Sequence, residues 1–282
     1  MADVTTPHRR SPKSHNMMKN MFRESDDESS SSDDEDDEED GDPRDKEGLS
    51  AVPPHADNDD TMAYTGLCHD FQVVLRQDRK KGIAHQLWPA ATFLSHYLEQ
   101  HVETLLPPGT SVLELGAGIG LCGLVCYKLH ATSVVLTDLP VAMSLLDTNV
   151  LLNAVEPGEQ IPSTKQSVRP MVLSWGNEGE LAAVLATMDK SSQWVCVAAD
   201  CVYWEALFEP FFHTVRALVV DHHVDVILAH VKRWKKDERF FKMCRKHMQV
   251  IQLVEDVSLE LQEHTQDHHR VIKRIYRLTA KV

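Results

Sequence analysis

The stretch Val112-Leu113-Glu114-Leu115-Gly116-Ala117-Gly118-Ile119-Gly120 constrains this chain more than any other. Apolar residues surround one acid, and glycine then takes every second position. A mostly apolar run, Leu121 to Leu129, follows at once. The pattern predicts a buried strand, a tight turn and a helix N-terminus. Without Cβ atoms at Gly116 and Gly118, a ligand can approach the backbone closely. The helix behind the turn offers free N–H groups and the positive end of its dipole. Such a turn suits a nucleotide-like cofactor. Two overlapping patterns leave its identity open. Gly118-x-Gly120-x-x-Gly123 is the dinucleotide fingerprint. Glu114-x-Gly116-x-Gly118-x-Gly120 also uses the acid and the first glycine, which the fingerprint leaves idle.

Charge divides the chain before any element is drawn. Of the 282 residues, the first 62 hold 7 Lys/Arg against 19 Asp/Glu, and the rest hold 22 against 24. The net charge of −14 therefore belongs to an N-terminal segment. Residues 1–62 are rich in Ser, Asp, Glu and Pro, and read as a disordered acidic tail that cannot bury enough apolar surface to offset its ordering entropy. Ser25 and Ser32, each followed by acids, are candidate sites for an acid-directed kinase. Residues 63–282 are near neutral and form the candidate domain. They lack the basic footprint of a nucleic-acid binder, so no direct nucleic-acid partner is expected. No long uncharged apolar run suggests a membrane span. The N-terminus has basic residues but no apolar signal region. Six scattered cysteines without a C-x-x-C pair read as reduced core thiols, which points to the cytoplasm, with the nucleus as a second location.

Helix and strand signals alternate along the domain. Strands are expected near Asp70–Gln77, over Ser133–Thr137, Val168–Leu173, Trp194–Ala199, Val224–His230, Val250–Val254 and Val271–Ala280. Pro170 argues for an edge position of its strand. Helices are expected from Pro89, after the glycine turn, from Pro140 to Asn153, and over Glu178–Met188, Trp204–Val219 and Asp237–His247. The last two strands, joined by Glu255–Arg270, read as an antiparallel pair at one edge. The fold class is α/β: a Rossmann-like, doubly wound, mostly parallel seven-stranded sheet with that antiparallel edge pair.

In such sheets ligands bind at the carboxyl ends of the strands, and three acids end strands here: Glu114, Asp138 and Asp200. Asp138 can accept both hydroxyls of a ribose; its plainer reading is a helix cap before Pro140. In Ala199-Asp200-Cys201-Val202-Tyr203-Trp204, the carboxylate and the phenol are three residues apart as strand gives way to helix. Both can face one pocket, hold an amino group and leave its lone pair aimed at a methyl donor. With Glu114 and Gly116, this motif tilts the cofactor toward S-adenosylmethionine. His222-His223 and His264-x-x-x-His268-His269 have metal-like spacing, but no cysteine set completes a site and no metal is expected. Lys232-Arg233-x-Lys235-Lys236 reads as a solvated basic patch that could steer an acidic partner.

The ordered set Gln86-Leu87-Trp88-Pro89-Ala90-Ala91, Leu113–Gly120, Thr137-Asp138-Leu139-Pro140, Asn149-x-x-x-Asn153, Leu173-Ser174-Trp175-Gly176 and Ala199–Tyr203 resembles the seven-β-strand methyltransferases. Within them it resembles the methyltransferase-like 21 group of protein-lysine methyltransferases (family 16). Ala199–Pro210 also resembles the lysine methyltransferases of valosin-containing protein. The resemblance implies that Trp88 lines the cofactor site, that Gly116, Ala117 and Gly118 meet the methionine part with Glu114 in the same motif, and that Asp138 binds the ribose. It further implies that Trp175 packs at the adenine, that Ala199 approaches by its backbone, and that Asp200 and Tyr203 position the target lysine. A protein substrate follows, with a chaperone or an AAA ATPase among the candidates. Three rivals stand beside this reading. Methylation of a base nitrogen or glutamine amide would favour Asp/Asn-Pro-Pro-Tyr/Phe, where this chain has Cys201-Val202. Arginine or histidine in a protein is a second acceptor class. A cofactor-binding partner protein without turnover is the third.

Overall fold

The computed structural model describes residues 60–154, 166–261 and 268–281. Residues Asn58–Val282 form one compact unit. The expected acidic tail and its serines lie outside the described residues, except that Asp60–Met62 belong to a strand.

That strand, β1 (Asp60–Thr65), pairs antiparallel with β2 (Gln72–Gln77) in a two-stranded sheet of its own. The free edge of β2 is met by side chains. Asn153 accepts from the Val74 N–H at 2.9 Å and donates to its carbonyl at 2.7 Å. Asn149 treats Arg76 the same way, at 2.8 and 3.1 Å, and also donates to the Ile119 carbonyl at 2.8 Å. Two amides one helical turn apart thus imitate a neighbouring strand, which satisfies backbone groups that burial would otherwise leave unpaired. Asn149 also ties β2 to the glycine turn.

The main sheet has seven strands in the order β5-β4-β3-β6-β7-β9-β8. They are β3 (Thr110–Leu115), β4 (Ser133–Asp138), β5 (Ser167–Val172), β6 (Gln193–Ala199), β7 (Asp225–Lys232), β8 (Met248–Leu261) and β9 (His268–Ala280). β3 to β7 are parallel, and β9 runs antiparallel to both β7 and β8. Pro170 sits on the edge strand β5, where its missing donor costs no ladder bond on the open side. The edge pair is longer than expected, because 255–261 and 268–270 continue the strands instead of connecting them.

Alternation along the strands fills two cores. Val112, Val134, Leu136, Val195, Val197 and Ile227 face one side, with Leu94 and Leu98 of α1 (Pro89–Gln100), Leu124 and Val125 of α3 (Leu121–Lys128) and Leu146 of α4 (Met143–Ala154). α2 is the short Val102–Leu105 helix. Leu113, Leu115, Val135, Cys196, Ala198 and Leu228 face the other side. Against them pack Val184 of α5 (Glu178–Ala186), Phe208 and Phe211 of α6 (Glu205–Arg216), and Phe240 and Phe241 of α7 (Glu238–His247). Each Val, Leu, Ile or Phe among them contributes roughly 1.5–3 kcal/mol when fully buried. Pro210 does not break α6; that helix runs through it and ends in a π-turn over Ala217–Asp221.

Candidate active site at the strand ends

The sheet order changes direction between β3 and β6, which opens a crevice at their carboxyl ends. The ends of β4, β3, β6 and β7 stand side by side there, and they carry Asp138, Gly116, Asp200 and Arg233.

The glycine turn adopts the backbone that its residues permit. Gly116, Gly118 and Gly120 have φ of 61°, 55° and 87°. At Gly116 there is no room for more than hydrogen, because a Cβ would stand 2.7 Å from Trp175 Cζ2 and 3.0 Å from Cys201 Sγ. At Gly118 only the Ala84 carbonyl oxygen lies within reach, at 3.6 Å, so that position is open to a ligand. Ala117 is locked by its N–H to the Thr137 carbonyl at 2.9 Å and by its own carbonyl, which accepts from Gly120 at 2.7 Å. Gly123 serves packing, since a Cβ there would stand 2.1 Å from Leu136. The dinucleotide-like third glycine thus brings α3 against β4.

The acids at these ends do different work. Glu114 lies buried beneath the turn and not on its open side. Its Oε2 accepts from the Gly123 N–H at 2.8 Å, and burial pushes its carboxyl up to about 8. It supports the turn from below, so no ligand contact is assigned to its side chain. Asp138 accepts from the N–H groups of Gly118 at 2.7 Å and Leu139 at 2.6 Å, one on each oxygen. Burial raises its pKa against those two donors. A carboxylate oxygen has two acceptor sites, so each oxygen retains one further acceptor site. Asp138 does not cap the 3-10 turn Pro140–Ala142, which has no side-chain cap.

Asp200 follows the last residue of β6, Ala199, which is half-buried. Its φ is 60°, a left-handed conformation uncommon outside glycine, and its N–H closes the β6–β7 ladder on the Ala229 carbonyl at 3.0 Å. Such backbone costs on the order of 1–3 kcal/mol and persists where the surroundings fix it. The Arg233 guanidinium grips both Asp200 oxygens at 2.6 Å and lies 6.0 Å from the centre of the Trp88 ring. Trp88 stands just before α1 and donates its Nε1–H to the Ile83 carbonyl at 2.9 Å. Asp237 holds the Arg233 segment in turn, accepting from the N–H groups of Arg233 at 3.1 Å and Trp234 at 3.0 Å. Buried His230 stands behind it, with Nε2 3.5 Å from the Asp237 carboxylate. Burial opposes the Asp237 charge, but the His230 bond and the two N–H donors hold its carboxyl below the ordinary value. Tyr203 is half-buried, and burial pushes its hydroxyl well above the ordinary range, so it stays a protonated donor. Cys201 joins the two halves of the crevice, with its Sγ donating to the Leu115 carbonyl at 3.4 Å and packing against Gly116. Trp175 reaches the same glycine and lies 4.6 Å from the Phe211 ring.

Sequence reasoning did not single out Arg233 and Asp237, because it placed Arg233 in a solvated patch. The strand-end rule applied to β7 would have found it. A groove of about 900 Å³ opens at the opposite ends of the strands between Trp194, His222 and Arg277, away from this chemistry.

A glycine turn at the switch point, acids ending β4 and β6, and an antiparallel β9 on a parallel sheet define a Rossmann-like protein with a crevice suited to a nucleotide-like cofactor. Comparison with known proteins makes the class specific. The chain belongs to the lysine methyltransferase family, whose profile matches residues 68–247. It is 32% identical over 183 residues to the Mus musculus "Protein N-lysine methyltransferase METTL21A", covering 64% of this chain and 76% of that one. The Saccharomyces cerevisiae "Protein-lysine N-methyltransferase EFM6" is 29% identical over 237 residues, covering 77% and 89%. The Mus musculus "EEF1A lysine methyltransferase 3" is 29% identical over 197 residues, covering 68% and 77%. Among solved structures, a SAM-dependent methyltransferase from Agrobacterium tumefaciens shares the fold, with a TM-score of 0.50 at 16% identity over 81% of this chain and 72% of that one. The protein is an S-adenosylmethionine-dependent protein-lysine methyltransferase.

Proposed function

We propose that Asp200 and Tyr203 hold the ε-amine of a lysine on a protein substrate, across the crevice from the glycine turn. The observation that carries this reading is the fixed Asp200 carboxylate, on left-handed backbone at the end of β6, next to a turn that the Cys201 thiol ties to β3. The open side of Gly118 and the remaining acceptor sites of Asp138 suit the cofactor's methionine and ribose parts. In this reading Trp88 and Trp175 would flank that space, and the Ala199 backbone would border it. When bound, the cofactor would supply a sulfonium methyl for the amine lone pair, the C–S bond giving its electrons to sulfur as the N–C bond forms and the methylated ammonium afterwards giving up a proton. The chain's own residues position the amine and exclude water around it.

Candidate acceptors are a chaperone or an AAA ATPase; one relative's name also brings EEF1A into consideration. We assign catalysis to residues 63–282, to whose fold Asp60–Met62 of β1 also belong, with the acidic segment before them outside it, and place the enzyme in the cytosol and nucleus, where thiols such as Cys122 and Cys196 stay reduced. The test is transfer of labelled methyl into extract from cells lacking this enzyme, with mass spectrometry of the labelled residue. Label on lysine is expected. Label confined to arginine, histidine or nucleic acid would remove the reading.

A further inference from the structure

We infer that Arg233 stays on Asp200 during the reaction and sets the charge state of the acceptor, so that the lysine is held as a neutral amine. This rests on the assignment of Asp200 to the lysine. The reaction needs a nitrogen lone pair, but a free lysine is an ammonium near neutral pH. A bare carboxylate beside that nitrogen would stabilise the ammonium and so oppose the reaction. Here the carboxylate is not bare. The guanidinium takes one acceptor site on each Asp200 oxygen, at 2.6 Å. A second site on each oxygen is left for an amine N–H. The pair is neutral as a unit, and the fixed positive charge beside it disfavours a second cation.

The arrangement is built for permanence. Asp200 is 6% exposed and Arg233 30%. The Arg233 and Trp234 N–H groups are held by Asp237, which is buried with His230 behind it. The guanidinium lies over Trp88, a neutral face. The titratable groups around the acceptor space are Asp200 and Tyr203 from the end of β6, with the buried Cys201 thiol turned to the Leu115 carbonyl, Asp138 from β4, and Arg233 from β7, with Asp237 and His230 behind it. Arg233 is the one fixed cation among them. An arginine suits this task because its planar fork satisfies both oxygens and it cannot give up its proton. The ammonium therefore releases its proton to solvent on entering the site.

The test uses the full-length enzyme, Arg233→Gln and Arg233→Lys. The acceptor protein is recovered from the labelled band of the extract experiment and used purified, at saturating concentration, with the rate of transfer followed from pH 6.5 to 9.5. Proton release on acceptor binding to enzyme loaded with S-adenosylhomocysteine is counted by calorimetry in two buffers of different ionisation enthalpy. Thermal unfolding and S-adenosylhomocysteine affinity establish that the variants are folded. In Arg233→Gln the midpoint of the rate profile should move to higher pH by about one unit or more. Its deficit should be largest at low pH and shrink at high pH, and fewer protons should be released at pH 8. Arg233→Lys, which keeps the charge and loses the fork, should move the midpoint less. A variant that loses the same factor at every pH, that becomes faster, or that fails to fold in both forms overturns the inference: Arg233 is then a structural strut or a plug. Label on a residue other than lysine, or no label at all, removes the lysine reading and the inference together. Label on lysine with an unshifted profile removes the inference alone.

Discussion

The two halves of the crevice are made of different material. The half around β3 and β4 is mainly backbone: three glycines in left-handed conformation, and one carboxylate, Asp138, that accepts one N–H from the glycine turn and one from its own loop. The half around β6 and β7 is made of charged side chains from separate strands, with Asp200 and Arg233 meeting across 33 residues of sequence. A cofactor common to many enzymes can be met by a fixed backbone surface. An acceptor nitrogen that must lose a proton needs charge placed at one point. Cys201 and Trp175 join the halves by packing on Gly116, so a disturbance there should reach both.

The sharpest way to separate the halves is Asp200→Ala. Removing the carboxylate proposed to hold the acceptor should lower transfer by roughly 10²–10³-fold, the scale seen when one preorganised polar group is lost. Affinity for S-adenosylhomocysteine, measured by calorimetry, should stay near wild type. Equal loss of both would show that the halves are one unit. Asp138→Ala should do the converse. Losing a hydrogen bond to a charged group costs ~1.5–3 kcal/mol, so cofactor affinity should fall about 10–100-fold. The rate at saturating cofactor should change little; a large drop there would place Asp138 in the acceptor half. Gly116→Ala tests the joint. Left-handed strain alone costs about 1–3 kcal/mol, and the new methyl meets Trp175 and Cys201. Urea unfolding should show that loss, accompanied by weaker cofactor binding. Unchanged stability would mean the contact is soft.

The last effect is read in stability alone and concerns Glu114, whose carboxyl is raised by burial to about 8 from an ordinary 4.5. The native state then binds more protons than the unfolded chain between those values. The stability Glu114 contributes is full below about 4.5 and is lost as pH rises through about 8. Glu114→Gln is neutral throughout and should flatten that part of the stability–pH curve. A wild-type slope that survives the substitution would assign it to another group.

Much of the cofactor half could be read along the chain, because its parts are contiguous. Val112–Gly120 states strand, turn and helix start within nine residues, and alternation on β3, β4 and β6 identifies the core faces. Other features resisted reading. The first three residues of β1 fall within the segment that composition assigns to the acidic tail, and only pairing such as that of Met62 with Leu75 reveals that they belong to a strand. The length of β8 and β9 was hidden by the polar residues along their exposed sides. Asn149 and Asn153 were visible as a motif, but their function of pairing with the edge of β2 is a long-range contact. Glu114 looked like a ligand because it stands in the glycine motif, yet strand alternation turns its side chain under the turn.

By itself the sequence determined the alternating α/β pattern, the glycine turn and the family, since each depends on residues near one another or on motifs in a fixed order. Only the tertiary structure decided what stands opposite Asp200. Lys232-Arg233-x-Lys235-Lys236 carries no local sign that one of its cations differs from the others. β7 lies beside β6 because the sheet order puts it there, and Asp237 then fixes the backbone of Arg233. The guanidinium thus sits on a nearly buried carboxylate, while Lys232, Lys235 and Lys236 stay exposed. Charge at an active site is set by distance and burial, and both are properties of the fold.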